Sequence, residues 1–302
     1  MSASLSITAA SEASPPAPAA GAAGSNVVRF GIVTFYNPRL MVLRYQPFLD
    51  ALERRTPYRF ELILSRSYSE TVKQLQTGEV DLAYLGPVTY VRARKRFGAV
   101  PLVRLNTGGH ATYHAMICVR EDSPIEDLAQ LKGRRFAFGS ALSTSSHLYP
   151  RLMLMRAGLK LPDLASFSYY RHHDTAAKAV LTGEVDACGI RDVVARRYAD
   201  LGLRVIAVSD PIPNFPLVVA PDAPDTLLRY LREALLGLDP HAPADSAEMA
   251  SWDEELRGGF APVDPAFYDE VEQRMLEVFG PSAYEGDLTA PGAVRPQRGW
   301  AP

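Results

Sequence analysis

Short apolar runs alternate with helix-spaced stretches along this chain, and the alternation occurs twice. In the first half, Val27–Val33 reads as a strand. Residues 39–54 follow as a helix, in which Leu40, Leu43, Phe48, Leu49 and Leu52 approximate one apolar stripe. Pro47 should kink that helix or lie near its first turn. A second strand is predicted over 59–64. The next helix ends at Gly78, with glycine just past the last turn, where a left-handed cap is favoured. A third strand begins at Val80. The second half repeats the order: strand Arg135–Phe138, helix 145–157, strand 166–170, a helix ending at Gly183, and a strand from Val185. Strand–helix–strand alternation predicts an α/β fold, with mainly parallel sheets and helices on both faces.

The two halves also share sequence. Thr77-Gly-Glu-Val-Asp81 recurs as Thr182-Gly-Glu-Val-Asp186, an offset of 105 residues, and Lys73 and Lys178 precede the copies at that same offset. A period this long does not describe a solenoid; it describes two lobes built alike. Residues 100–104 and 115–119 read as strands that leave the first half for the second, and 204–208 and 217–219 as strands that return. Residues Asp225–Leu236 and 265–279 then look helical. The expected organisation is a first lobe over 27–114, an inserted second lobe over 115–206, and a return to the first lobe with C-terminal helices over 207–280. Two extended crossings make a hinge, and the cleft beside it is a natural ligand site. The tail, 281–302, has few periodic apolar residues and is expected to be loose.

Composition narrows the function. The chain has 302 residues, 47% of them hydrophobic, enough for two ordinary domains. Net charge is −2, and the densest basic stretch, 92–96, reads as a solvated helix end. Nucleic-acid binding, which needs a basic face, is therefore not expected. No apolar window long enough to span a membrane occurs. Residues 1–26 are rich in Ala, Ser and Pro, with no positive start, continuous apolar stretch or lipid-attachment cysteine, and read as a disordered leader in which no signal peptide is visible. Two cysteines, Cys118 and Cys188, are too few for a disulfide framework or a four-ligand zinc site. They read as small buried hydrophobes, with a single disulfide or a ligand-touching thiol as alternatives. His110, His114 and His147 have no metal-ligand spacing, so neither metal nor cofactor is expected.

The sharpest local signal is the run Gly139-Ser140-Ala-Leu-Ser143-Thr144-Ser145-Ser146, between a strand and a helix. N–H groups at a helix start lack intrahelical partners and carry partial positive charge. Hydroxyls beside them add uncharged donors, so an oxyanion can be held there; the bland alternative is an N-cap with spare serines. Asp174 in His172-His173-Asp174 is a plausible N-cap, while His173 could donate to an anion and titrate near neutrality. Tyr68, in the loop 65–69, and Tyr113, near the first crossing, offer hydroxyls if they face the cleft. Asp192, after the third strand of the second lobe, either meets a protonated ligand oxygen or caps the next helix. There is no nucleophile–base motif, phosphate loop or dinucleotide fingerprint, which weakens an enzymatic reading.

Over about residues 27–280 the chain resembles the periplasmic phosphate-, phosphite- and phosphonate-binding proteins of ABC transporters (PhnD-like). The resemblance rests on Tyr84-Leu-Gly-Pro87, Tyr113 with the following strand and Glu121-Asp-Ser-Pro124, Ser143-Thr-Ser145 with Pro150, His173-Asp174, Gly183-Glu-Val-Asp186, and 209–214 with Pro216-Leu217. It implies a type II periplasmic-binding-protein fold, two Rossmann-like lobes joined by a two-strand hinge. It also implies an oxyanion site made by Ser143, Thr144, Ser145, His173, Tyr68 and Tyr113, with an acidic ligand residue near Asp192. Ser146 stands where the family commonly has glycine, and Phe215 where some aminophosphonate binders place an acid. The second departure points away from a ligand amine.

The resulting expectation is a monomeric, non-catalytic periplasmic receptor that closes on phosphate, phosphite or a phosphonate and hands it to an ABC permease. The alternatives are an oxyanion sensor for a histidine kinase, of which arsenite sensing through Cys118 or Cys188 is one form, and a biosynthetic enzyme of the same fold. Either cysteine in the cleft would favour the sensor; both buried in sheet would not.

Overall fold

The repeated Thr-Gly-Glu-Val-Asp segment turns a helix into a strand in both halves. In the computed structural model, which describes residues 26–33, 38–286 and 288–296, the first half contributes β1 (Val27–Val33), α1 (Pro38–Arg55), β2 (Arg59–Ser65), α2 (Tyr68–Gln76), β3 (Leu82–Tyr84), α3 (Pro87–Phe97) and β4 (Val100–Leu105). Residues 1–25 of the expected leader and 297–302 of the expected tail lie outside the described residues. Helix α1 contains Pro47 in its interior rather than in its first turn. After the short β5 (Thr112–Tyr113), the second half contributes β6 (Ala115–Arg120), β7 (Arg135–Phe138), a π-helical turn at Thr144–Leu148, α4 (Tyr149–Arg156), β8 (Ser166–Tyr169), α5 (His173–Leu181), β9 (Ala187–Arg191), α6 (Asp192–Ala199) and β10 (Leu203–Val208). The chain returns through β11 (Ile212–Pro213) and β12 (Pro216–Val219), then α7 (Asp225–Leu236), α8 (Pro243–Met249), β13 (Phe260–Ala261) and α9 (Asp269–Phe279).

The repeat is a structural joint. Gly78 and Gly183 take φ of 70° and 75°, which a residue with a Cβ rarely adopts, and so end α2 and α5. Asp81 then accepts from the backbone N–H of Arg29 at 2.8 Å and pairs with its guanidinium at 2.9 Å. Asp186 does the same to Arg135, at 2.8 and 2.7 Å. These half-exposed pairs contribute about 1 kcal/mol or less apiece. Their main effect is to set where each first strand begins beside its third.

The two sheets follow one plan. The first has the order β13-β4-β12-β3-β1-β2, the second β10-β6-β9-β7-β8. In each, a central strand lies between parallel neighbours: β1 between β2 and β3, and β7 between β8 and β9. An antiparallel strand from the other end of the chain follows, β12 against β3 or β6 against β9. The crossings are themselves paired, with Ile212 opposite Tyr113 and Pro213 opposite Thr112 in the ribbon β5–β11. The fold is therefore two α/β lobes on a two-stranded hinge. Parallel strands deliver their C-terminal ends, and the loops after them, to the cleft.

One apolar core fills the first lobe, around Phe30, Phe48 and Trp252. Two smaller cores lie on the faces of the second sheet, one with Ala176, Val180 and Ile190, the other with Ile117, Phe136 and Phe167. Leu148, Tyr149 and Leu152, from the start of α4, belong to the first lobe's core, so the lobes meet in an apolar contact beside the cleft. A Cβ on Gly189 would come within 2.4 Å of Pro150 Cγ, and its absence lets α4 lie directly on β9.

The tail expected to be loose is held along its described part. Arg92 donates to the carbonyls of Tyr284 and Gly286 at 3.0 and 2.9 Å. Leu288 is buried. The N–H of Ala290 donates to Tyr169 Oη at 3.0 Å, and that of Val294 to the carbonyl of Phe167 at 2.8 Å. Each of these bonds uses a backbone group of the tail, so no pattern of apolar side chains announces them.

Candidate functional site

Strand β7 ends at Phe138, and Gly139 opens the turn that leads to α4. Ser146 packs on Gly139, and a Cβ there would meet Ser146 Oγ at 1.8 Å and its Cβ at 2.7 Å. Ser143 has extended backbone and caps the turn, its Oγ accepting from the N–H of Ser146 at 3.2 Å. Ser143, Thr144, Ser145 and Ser146 are all buried. The serine at 146, noted above as a departure from the family pattern, thus needs glycine at 139. Gly139→Ala is expected to push Ser146 aside and cost about 1–3 kcal/mol. Thermal unfolding should register the loss, and an unchanged melting temperature would show that the turn adapts freely.

His173 stands at the start of α5 and reads this turn from the side. Its Nδ1 accepts the N–H of Arg191 at 3.1 Å, so the proton of the neutral ring sits on Nε2. Nε2 lies 3.4 Å from both Ser143 Oγ and Ser146 Oγ. Burial, with Arg191 and His172 adding to it, pushes the imidazole down to about 3. His173 is therefore a fixed neutral donor, not the group titrating near neutrality that the sequence suggested. The N-cap of α5 is His172 rather than Asp174, and Asp174 instead pairs with Arg197 at 3.5 Å.

The first lobe supplies the facing wall. Tyr68 is not in a loop but is the first residue of α2, behind the N-cap Ser67. Its hydroxyl bonds the Ser143 side chain, and burial raises its pKa, so it remains a donor at physiological pH. Thr144 Oγ1 accepts the N–H of Val88 at 3.0 Å, joining the start of α3 to the serine turn across the cleft. Tyr113, on the hinge, is fully buried with its hydroxyl facing Ser145 and Thr144. That hydroxyl forms no well-made bond, which leaves a buried donor aimed at the turn.

Asp192 neither reaches the cavity nor caps the next helix. Its Oδ1 accepts from the N–H of Val193 at 2.8 Å and its Oδ2 from Arg196 at 3.2 Å; it is the first residue of α6, whose N-cap is Arg191. Its predecessor, Arg191, passes its Nε 3.8 Å from Asp192 Oδ1 and lines the cavity. The Arg191 guanidinium lies between the rings of Tyr113 and Phe215, 4.4 and 4.5 Å from their centroids, and pairs with Glu255 Oε1 at 2.6 Å. Glu255 also accepts the hydroxyl of Tyr84, which stacks on Phe215 at 5.0 Å. Burial pushes the Glu255 carboxyl up while Arg191 pulls it down, and Glu255 in turn keeps the buried guanidinium charged. No sequence motif marks Glu255, and Arg191 was passed over for its neighbour.

A cavity of about 570 Å³ opens between the lobes, lined by Tyr68, His173, Arg191, Phe215, Glu255 and the residues just before Ser143. Cys118 and Cys188 are elsewhere, directly opposite each other on β6 and β9 and fully buried, with Cys118 pushed up to about 12 by burial. Both are in sheet, so the thiol-based sensor loses its support. Among the described residues no cluster of His, Cys, Asp or Glu could hold a metal ion, and no helix is long and apolar enough to cross a membrane.

Residues 30–268 match the family described as ABC transporter, phosphonate, periplasmic substrate-binding protein. The phosphate-import protein PhnD of Mycolicibacterium smegmatis is 30% identical over 154 residues, 47% of this chain and 48% of that protein. The chain spans about half the length of the curated relatives it matches. A binding-protein component of an ABC phosphonate transporter from Pseudomonas aeruginosa superposes with a TM-score of 0.73 at 21% identity, over 86% of this chain and 88% of that one. The Prochlorococcus marinus protein solved in complex with methylphosphonate gives 0.75 at 18% identity, over 85% and 100%. At these identities the structural likeness establishes the fold.

Proposed function

This chain belongs to the phosphonate-binding family of periplasmic substrate-binding proteins of ABC transporters, and we propose that it captures a small oxyanion (phosphate, phosphite or a phosphonate) between its lobes and presents the closed form to an ABC permease. The observation that carries this reading is the convergence of uncharged donors on one turn. Tyr68 from the first lobe, His173 Nε2 from the second and the hydroxyls of the Ser143 turn meet at the cleft. Arg191, a cation buried beside them, is already paired with Glu255. The ligand's negative charge is thus met by oriented dipoles rather than by a bare guanidinium.

Ligand can hold the lobes together only through contacts it makes to both. Tyr68 and the hinge residue Tyr113 stand opposite the serine turn and give closure that differential affinity. No step here breaks a bond in the ligand, so the protein acts as a non-catalytic receptor, which follows the family's transport role. Calorimetry with phosphate, phosphite, methylphosphonate and arsenite should give saturable heat with at least one phosphorus oxyanion. Removing one donor by Ser143→Ala is expected to weaken it about tenfold or more, the usual cost of a hydrogen bond to a charged group. Absence of heat and of thermal shift with every oxyanion would overturn the proposal.

A further inference from the structure

The inter-lobe cavity has a separate neighbour. A groove of about 580 Å³ shares no lining residue with it. Tyr169 stands between the two: it lines the cavity, and its hydroxyl accepts the N–H of Ala290, which lines the groove. Both lobes build the groove. Leu154 of α4 and Phe167 of β8 come from the second lobe, Val278 of α9 from the first, and residues 290–292 of the C-terminal segment close one side. Small-molecule sites usually measure about 300–1,000 Å³ and pair a mainly apolar lining with a few polar groups, and this groove has both properties.

The charged side chains of that lining are both cations, Arg151 and Lys160. The other arginine of α4 is matched: Arg156 meets Asp210 at 2.8 Å and Glu277 at 3.7 Å. Arg151 is not. It is half-buried, with its guanidinium 5.3 Å from the centroid of the Phe279 ring, and among the described residues no carboxylate stands within ion-pair distance of it. Burial lowers its pKa, against a smaller opposing pull from Tyr169. A ring face returns only part of what a carboxylate would give a desolvated cation. Asp163, the acid nearest Lys160 in sequence, is turned to the backbone N–H of Lys160 at 2.8 Å. The groove therefore offers a long apolar wall and, at one place, a positive charge whose counter-ion the fold does not supply.

We propose that this groove is a second binding site, distinct from the oxyanion cleft, for a single-chain organic anion: a medium-chain aliphatic carboxylate. Its head meets Arg151, with Lys160 close by on the rim, and a guanidinium can bind a carboxylate through two parallel hydrogen bonds. Its chain lies along Leu154, Leu161, Phe167 and Val278. The wall is mostly aliphatic, which suits a flexible chain better than a stacked ring. The proposal goes beyond the oxyanion reading and does not depend on it. An occupant here would touch α4 and β8 of one lobe and α9 of the other, and would stabilise the folded protein by mass action.

The test is calorimetry on the full chain with octanoate, decanoate, 1-decanol and decyltrimethylammonium, each below the concentration at which it self-associates. Decanoate is expected to bind saturably, about tenfold or more tightly than 1-decanol, with no measurable binding of the cation. Octanoate should be weaker than decanoate by about two- to fourfold for each methylene removed. Arg151→Gln should cost decanoate about tenfold or more, the usual loss of a hydrogen bond to a charged group, and leave 1-decanol within about twofold. Ala165 is exposed on the groove wall, so Ala165→Trp should fill the groove and weaken both chains about tenfold while leaving any methylphosphonate binding unchanged. Equal affinity for decanoate and 1-decanol, or no loss in Arg151→Gln, would overturn the anionic assignment. Displacement of decanoate by methylphosphonate, or full affinity in Ala165→Trp, would place the chain in the inter-lobe cavity and overturn the second site. Absence of saturable heat with every chain would overturn it too, as would binding to anionic vesicles alone, which would make the groove a membrane contact.

Discussion

Replacing Arg191 with methionine is expected to destabilise the protein by about 3–5 kcal/mol, the usual cost of stranding one partner of a buried ion pair. The Arg191 side chain is 4% exposed and that of Glu255 11%, so water cannot take over the lost contact. Glu255 would keep only the Tyr84 hydroxyl and the N–H of Glu255 itself would still be committed to Asp253. The carboxyl, already pushed up by burial, would then favour its neutral form. Two consequences distinguish this from a simple packing defect. The variant should recover part of its stability as pH falls, because protonation removes the stranded charge. The double variant Arg191→Met, Glu255→Gln should recover most of it at neutral pH, because both charges are then gone. In melting temperature the single variant should lose roughly 10 °C, on the scale of about 2–4 °C per kcal/mol for a domain near this size. Because Arg191 ends β9 in the second lobe and Glu255 follows α8 in the first, the same variant should also loosen closure and shorten ligand residence. A single variant as stable as the unaltered protein at pH 7 would show that the pair is not what holds these elements together.

The parts of the site legible in sequence are those built locally. The serine turn could be read because its cap, its glycine and its hydroxyls sit within one loop. The Thr-Gly-Glu-Val-Asp repeat announced two lobes because each copy folds onto its own neighbouring strand. Tyr68 and His173 are assigned to the site through the family resemblance; the local sequence puts Tyr68 in a loop, whereas it is the first residue of α2. The Arg191–Glu255 pair could not, since its members come from different lobes and neither belongs to a motif. At the junction of β9 and α6, Arg191 ends the strand and lines the cavity, whereas Asp192 begins the helix and accepts from the N–H of Val193 and from Arg196. The C-terminal segment was misread for a related reason. It is held mainly by backbone N–H and C=O groups, which every residue carries and no composition reveals.

Stability should fall steeply as pH drops from about 6.5, because two buried histidines are held neutral. Burial pushes both His147 and His173 down to about 3. His147 lies fully buried among Phe138, Tyr169 and Phe279, with Nδ1 donating to the carbonyl of Ala141 at 2.7 Å and Nε2 taking the Tyr169 hydroxyl at 3.0 Å. In the unfolded chain each imidazole titrates near 6.5. Between those values the unfolded state binds protons that the folded state refuses, so stability rises with pH throughout the window. The contribution is complete above about 6.5 and is withdrawn as pH falls toward 3, at about 3 kcal/mol per pH unit for the pair once both titrate fully in the unfolded chain. His172, also lowered by burial and Arg171, acts in the same direction. Glu255, with a raised carboxyl, acts in the opposite one. Carboxylates held low by arginines, such as Glu248 beside Arg55, lose their contribution only at more acid pH, so they do not contribute to the slope between pH 6.5 and 5. His147→Gln keeps an amide donor and acceptor where the ring had them and should remove close to half of the slope. His173→Gln should remove a comparable share and also weaken ligand, since Nε2 is the donor beside Ser143. Melting temperatures at pH 7.5, 6.5, 6.0, 5.5 and 5.0 would measure both slopes. A flat profile over that range would mean that the folded protein can protonate these rings, and the fixed neutral donor assigned to the site would have to be abandoned.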